Sequence, residues 1–143
     1  MASLRGSQQL WNSAGAIAAN VNGVLSSAVV DGSAVTQNSA SGWAVVGPGP
    51  NVAIYIDASQ TGTFAVEVAV TPTYAGLNAL DTSQADGGVI WYKYNSAASL
   101  SVTGGTPISF DLSPFSPGIL RLVRTDAGTT GTVTAWVTSF GPN

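Results

Sequence analysis

Residues 119–140 constrain the fold more than any other stretch, because two runs of alternating side chains flank a short polar turn. The first run is Ile119-Leu120-Arg121-Leu122-Val123-Arg124-Thr125, and the second is Thr132-Val133-Thr134-Ala135-Trp136-Val137-Thr138-Ser139-Phe140. A period of two is strand geometry, since successive side chains of a strand point to opposite faces. Leu120, Leu122 and Arg124 therefore share one face of the first run. Val133, Ala135 and Val137 share one face of the second, and Thr132, Thr134, Trp136 and Thr138 occupy the other. Alternating β-branched runs around a turn rich in Gly and Thr predict a β-hairpin. Val133, Ala135 and Val137 are expected to join Leu120 and Leu122 in the core.

The same pattern recurs upstream. Val52, Ile54, Ile56 and Ala58 alternate with Ala53, Tyr55 and Asp57; after Ser59-Gln60-Thr61-Gly62, residues Phe64, Val66, Val68 and Val70 alternate with Thr63, Ala65, Glu67 and Ala69. This predicts a second hairpin, ended by Pro72. Trp43 to Val46 reads as a short strand stopped by Gly47-Pro48-Gly49-Pro50, where two prolines cannot continue a ladder. Further strands are expected at residues 89–94, around Leu100 and Val102, and over Ile108, Phe110 and Leu112. Residues 71–87 have no period and read as a long loop, the kind of segment that carries contacts or function. Residues 1–35 hold few large apolar side chains at wide spacing, which suits an arm docked on a neighbour. Eight or nine short strands with regular turn signals and no amphipathic helix predict an all-β chain. The expected architecture is an antiparallel β-sandwich of jelly-roll type with about eight strands: residues 1–35 form an extended N-terminal arm and residues 36–143 the sandwich.

The 143 residues include no Cys and no His. This excludes disulfides, a thiolate nucleophile, an imidazole base and a Cys/His zinc site. Carboxylates are the remaining catalytic option, and there are seven Asp and Glu. Asp81 and Asp86 share the long loop, but neither a hydrolytic pair across a cleft nor a calcium loop of several oxygens is spelled out. Asp31, Asp57, Asp86 and Asp126 sit beside expected turns, where Asp ordinarily caps backbone amides. No phosphate loop is present, and no Ser is spaced to use Lys93, the only lysine, as its base. The expectation is a non-enzymatic protein without cofactor or metal.

Charge is sparse. Lys, Arg, Asp and Glu make up 8 % of the chain, against about 25 % in ordinary soluble domains. The mean hydropathy is +0.28. Arg5, Lys93, Arg121 and Arg124 are too few and too scattered for a nucleic-acid stripe or a polybasic membrane patch. No apolar run approaches the ~18 residues of a membrane span, and the N-terminus has no apolar region after Arg5 to serve as a secretory signal. Depleted charge together with exposed aromatics marks interface cores, so assembly into an oligomer or onto a larger particle is expected. The alternative is a surface solvated by the abundant Ser, Thr, Asn and Gly. Leu4, Leu10, Trp11 and Ile17 are the candidate contacts of the arm. Tyr92 and Tyr94, placed on one strand face opposite Trp91, are candidate subunit contacts. Trp136, on a threonine face, is either an interface anchor or a ligand platform.

The stretches from Ile54 to Val68 and from Leu120 to Val137 resemble the paired hairpins of small β-sandwich proteins from tailed-bacteriophage virions, nearest to capsid decoration (cement) and head-fibre proteins. The resemblance is one of pattern over residues 43–140. It implies a jelly-roll homotrimer that binds the major capsid protein on the capsid exterior, uses its arm to reach neighbours and stabilises the particle. It also implies synthesis in a host cytoplasm without a signal peptide. The alternative is a carbohydrate- or receptor-binding module of a phage tail or head fibre, which would present coplanar exposed aromatics beside polar side chains.

Overall fold

A computed structural model describes residues 3–19, 26–46, 51–70, 90–113, 115 and 118–141. Ten strands follow in chain order: β1 (Ser3–Asn12), β2 (Val30–Asp31), β3 (Ala40–Val45), β4 (Asn51–Ala58), β5 (Gly62–Val70), β6 (Ile90–Lys93), β7 (Leu100–Val102), β8 (Ile108–Asp111), β9 (Ile119–Arg124) and β10 (Val133–Gly141). Among the described residues, a single 3-10 turn at Asn95–Ala97 interrupts them.

The strands form two sheets, β2-β1-β10-β4-β8 and β3-β9-β5-β6, with β7 also paired to β5. Every pairing is antiparallel except the two-residue contact of β1 with β2. Setting aside the short β2 and β7, the order β1-β10-β4-β8 facing β3-β9-β5-β6 is the jelly-roll arrangement. The outermost chain segments, β1 and β10, are neighbours; β3 pairs β9, β4 pairs β8, and β5 pairs β6.

The period-two runs lie where alternation places them, with their apolar sides in one shared core. Val52, Ile54 and Ile56 of β4 and Val133, Ala135 and Val137 of β10 face Phe64 and Val66 of β5 and Leu120 and Leu122 of β9. Each such side chain, taken fully out of water, contributes about 1.5–3 kcal/mol. Trp11 of the first sheet and Phe64 of the second meet edge to face, with ring centroids 5.9 Å apart at 70°.

Both expected hairpins are corrected. β4 pairs β10 and β8 rather than β5, and β9 pairs β3 and β5 rather than β10. The links after β4 and after β9 cross from one sheet to the other. Alternation specifies which side of a strand is buried, and two strands facing each other across a core satisfy it as well as two strands side by side. Sheets pack about 10 Å apart, a distance that the three residues Ser59, Gln60 and Thr61 can just span. The two crossings are tied together where Ser59 N donates to Thr132 O at 2.9 Å and Thr132 N donates to Ser59 Oγ at 2.8 Å.

The separate arm is corrected too. β1 runs along β10 from Ser3↔Gly141 to Trp11↔Ala135, so residues 3–12 are an inner strand of the first sheet. Leu10 and Trp11, expected to touch a capsid, are wholly buried in this chain's own core. The large apolar side chains are few here because the strand needs few: its one buried stripe is completed by β10 and by the facing sheet.

An ion pair closes one end of the sandwich. Arg124 shares the inner face of β9 with Leu120 and Leu122, and only 2 % of its side chain is exposed. Its Nε donates to Asp126 Oδ1 at 2.9 Å, its Nη2 to Asp126 Oδ2 at 3.0 Å, and its Nη1 to Val35 O at 2.9 Å. Asp126 also accepts the backbone amides of Thr63 and Gly128, each at 2.9 Å. A Cβ on Gly62 or Gly128 would lie 2.7 or 2.6 Å from this carboxylate, so glycine is what lets the backbone approach it.

Candidate binding face

The outer face of the first sheet is built by the residues that alternate with the core. β10 contributes Thr134, Trp136 and Thr138, and β4 contributes Ala53, Tyr55 and Asp57. Antiparallel register sets Trp136 directly opposite Tyr55, with Gln9 of β1 on the far side of Trp136 and Ser109 of β8 on the far side of Tyr55. One row of four strands thus reads Gln9, Trp136, Tyr55, Ser109. The next row reads Ser7, Thr138, Ala53, Asp111, and Thr134 lies opposite Asp57 in the row on the other side. Directly opposed residues in such a ladder are about 4.5–5.5 Å apart. Tyr55 is 50 % and Trp136 38 % exposed.

Apart from Ala53, the rest of these rows is hydrophilic. Ser7 Oγ and Thr138 Oγ1 are 2.8 Å apart, and Thr134 Oγ1 donates to Ser13 Oγ at 2.8 Å. Asp57 and Asp111 are exposed. Asp111 accepts the Ser113 amide at 2.9 Å, and that bond, aided by the Ser113 hydroxyl, holds its carboxyl below the usual range. The described cations lie elsewhere: Lys93 and Arg121 project from the outer face of the second sheet, and Arg124 is interior.

That second outer face is a satellite cluster of Trp43, Ala69, Val45, Trp91 and Ile119. Arg121 bridges it, bonded to Glu67 Oε1 at 2.7–2.8 Å and lying with its guanidinium carbon 4.2 Å from the Trp91 ring centre. Arg121 thus holds Glu67 and the Trp91 ring together there.

The expected contact residues are not brought together. Trp136 is on the outer face of the first sheet, whereas Tyr92 is exposed on β6, an edge strand of the second. Tyr94 does not share a face with Tyr92, because β6 ends at Lys93; its ring packs on Phe115 at 5.1 Å and against the core. Ile17 is 46 % exposed, on a segment whose backbone pairs with Val29. The side chain of Leu4, and the whole of Asp81 and Asp86, lie outside the described residues. Among the described residues, no three His, Cys, Asp or Glu side chains are grouped to hold a metal ion, and no helix is long and apolar enough to cross a membrane.

Two features escaped the sequence reading. Tyr55 stands at an outer position of β4 in plain view, but its partnership with Trp136 needs the register of β4 on β10. Arg124 had a visible signal, a cation on the same face as Leu120 and Leu122 with a carboxylate two residues later. No protein-family model matches the chain, and no curated protein matches it.

Proposed function

We propose that the chain is a non-enzymatic virion structural protein, a decoration subunit that binds the outside of a phage capsid, contacts the major capsid protein and stabilises the particle as a homotrimer. The observation that carries this reading is the strand order β1-β10-β4-β8 facing β3-β9-β5-β6, the arrangement used by viral capsid domains. The sparse charge supports the same reading, since a subunit that spends its life against other subunits needs little of it. Attachment over several capsid subunits gains avidity without new chemistry.

With Leu10 and Trp11 in the core, Ile17 is the candidate capsid contact left exposed among those whose side chains are described. The test is co-sedimentation of the purified chain with tailed-phage heads from the same source, compared with Ile17→Asp. Saturable pelleting that Ile17→Asp weakens at least ~10-fold, the 1.4 kcal/mol scale of a modest interface contact, is expected. A chain that stays in the supernatant at micromolar concentration refutes attachment. Light scattering is expected to return about three times the 14.4 kDa chain mass, and a monomer on the heads themselves would refute the trimer.

A further inference from the structure

We infer that the outer face of the first sheet binds neutral carbohydrate, with Trp136 and Tyr55 as the stacking platform and Asp57, Asp111 and the adjoining hydroxyls as hydrogen-bond partners. The two rings belong to neighbouring strands at directly opposed positions, so they make one continuous apolar strip across β10 and β4. Both strands are flanked on each side by further strands, which holds the strip rigid before any ligand arrives. Leaving two large rings half in water is unfavourable, and a ligand that covers them recovers that apolar area.

The surroundings select the ligand class. A protein interface centres on a wide, dehydrated apolar patch ringed by polar groups. Among the described residues of the adjoining rows the only apolar one is Ala53; the others are Ser7, Thr138, Thr134, Asp57 and Asp111, and polar Gln9 and Ser109 flank the two rings in their own row. Nucleic-acid bases also stack on aromatic rings, but their phosphates need cations alongside. The charged side chains described on this face are carboxylates. The same carboxylates repel uronic and sialic acids. A neutral sugar ring fits both halves of the surface, since it carries C–H groups on its flat face and hydroxyls around its edge. The C–H face covers the rings, and the hydroxyls donate to carboxylate oxygens, a charge-assisted bond stronger than one between neutral groups.

This inference does not depend on capsid attachment, which is tested through Ile17. The intact chain is titrated calorimetrically with cellohexaose, chitohexaose, maltohexaose and mannohexaose, with polygalacturonate as the anionic comparison. Saturable binding to at least one neutral hexasaccharide is expected, with polygalacturonate weaker. Trp136→Ala and Tyr55→Ala are each expected to weaken it at least ~10-fold, the loss of one stacked ring. Trp136→Phe, which keeps an aromatic face, retains most of the binding. Circular dichroism of each variant verifies the fold, which truncation of a half-exposed ring leaves intact. No saturable binding to any of the four at millimolar concentration, binding that survives the Trp136→Ala/Tyr55→Ala double variant, or a preference for polygalacturonate would overturn the inference.

Discussion

Removing the Asp126 carboxylate leaves a guanidinium stranded in the core. Asp126→Ala deprives Arg124 of its counter-charge and of two of its three acceptors, and leaves the Thr63 and Gly128 amides without the oxygen they use. Breaking a buried ion pair by deleting one partner costs about 3–5 kcal/mol. Arg124 is 2 % exposed but Asp126 is 24 % exposed, so water can take part of the vacated place, and about 2–3 kcal/mol is the better expectation. Unfolding entropy near 2.1 cal/mol/K per residue makes each kcal/mol worth about 3 °C here, so the midpoint should fall by about 7–10 °C. The compensating variant is Arg124→Met/Asp126→Ala, which removes the unpaired charge and keeps an unbranched apolar side chain. It should be more stable than Asp126→Ala alone by about 1 kcal/mol or more. Thermal and urea unfolding followed by circular dichroism measure both. A shift below about 2 °C for Asp126→Ala, or a double variant less stable than the single one, would refute the assignment of this pair as the closure of the sandwich.

The same pair sets a pH dependence. The hydrogen bond from Arg124 holds the Asp126 carboxyl well below the usual carboxylate range; burial opposes this, and the Thr63 and Gly128 amides add to it. The unfolded chain takes up this proton near pH ~4, while the folded chain keeps the carboxylate ionised to lower pH. Its stabilising contribution is therefore complete above pH ~4 and is lost progressively as pH falls towards the folded value. Asp31 and Asp111 are also held low, by Ser33 and Ser113, and titrate in the same direction. The informative quantity is thus the difference from Asp126→Asn, whose midpoint should fall less steeply below pH ~4 than that of the unaltered chain.

Two other substitutions probe the sheets. Gln8 is wholly buried opposite Val137, and neither of its amide atoms has a hydrogen-bond partner; Gln8→Met, close in volume, should raise the midpoint by about 3 °C for a gain of about 1 kcal/mol, and a lowered midpoint in the same scan would sink that reading. Arg121→Ala loses both the Glu67 ion pair and the contact over Trp91, and should cost about 1–2 kcal/mol in urea unfolding with a change in tryptophan emission. Arg121→Lys should recover only part of this, because an ammonium lacks the planar fork, and full recovery would show that charge alone matters there.

What could be read from the sequence was mostly one-dimensional. The inward and outward sides of β4, β5, β9 and β10 followed from alternation, and the jelly roll followed from counting strands. Trp11 is costly to leave in water, but that cost does not say what covers it, and β1 supplies its own cover by lying against β10. Pairing was not legible, because an inward stripe is the same whether the next strand lies beside it or across from it. The jelly roll itself held the missing information. In its winding, β4 and β5 belong to opposite sheets, as do β9 and β10, so the fold expectation and the two hairpin expectations could not both hold. The choice between them decides what the surface offers. Paired as a hairpin with β5, Tyr55 would neighbour the outer residues of that strand, and Trp136 those of β9. Because both links cross between sheets instead, β4 meets β10 and two aromatic residues far apart in sequence become adjacent. The candidate carbohydrate platform is therefore a product of topology, made by the same crossings that Arg124 and Asp126 hold closed.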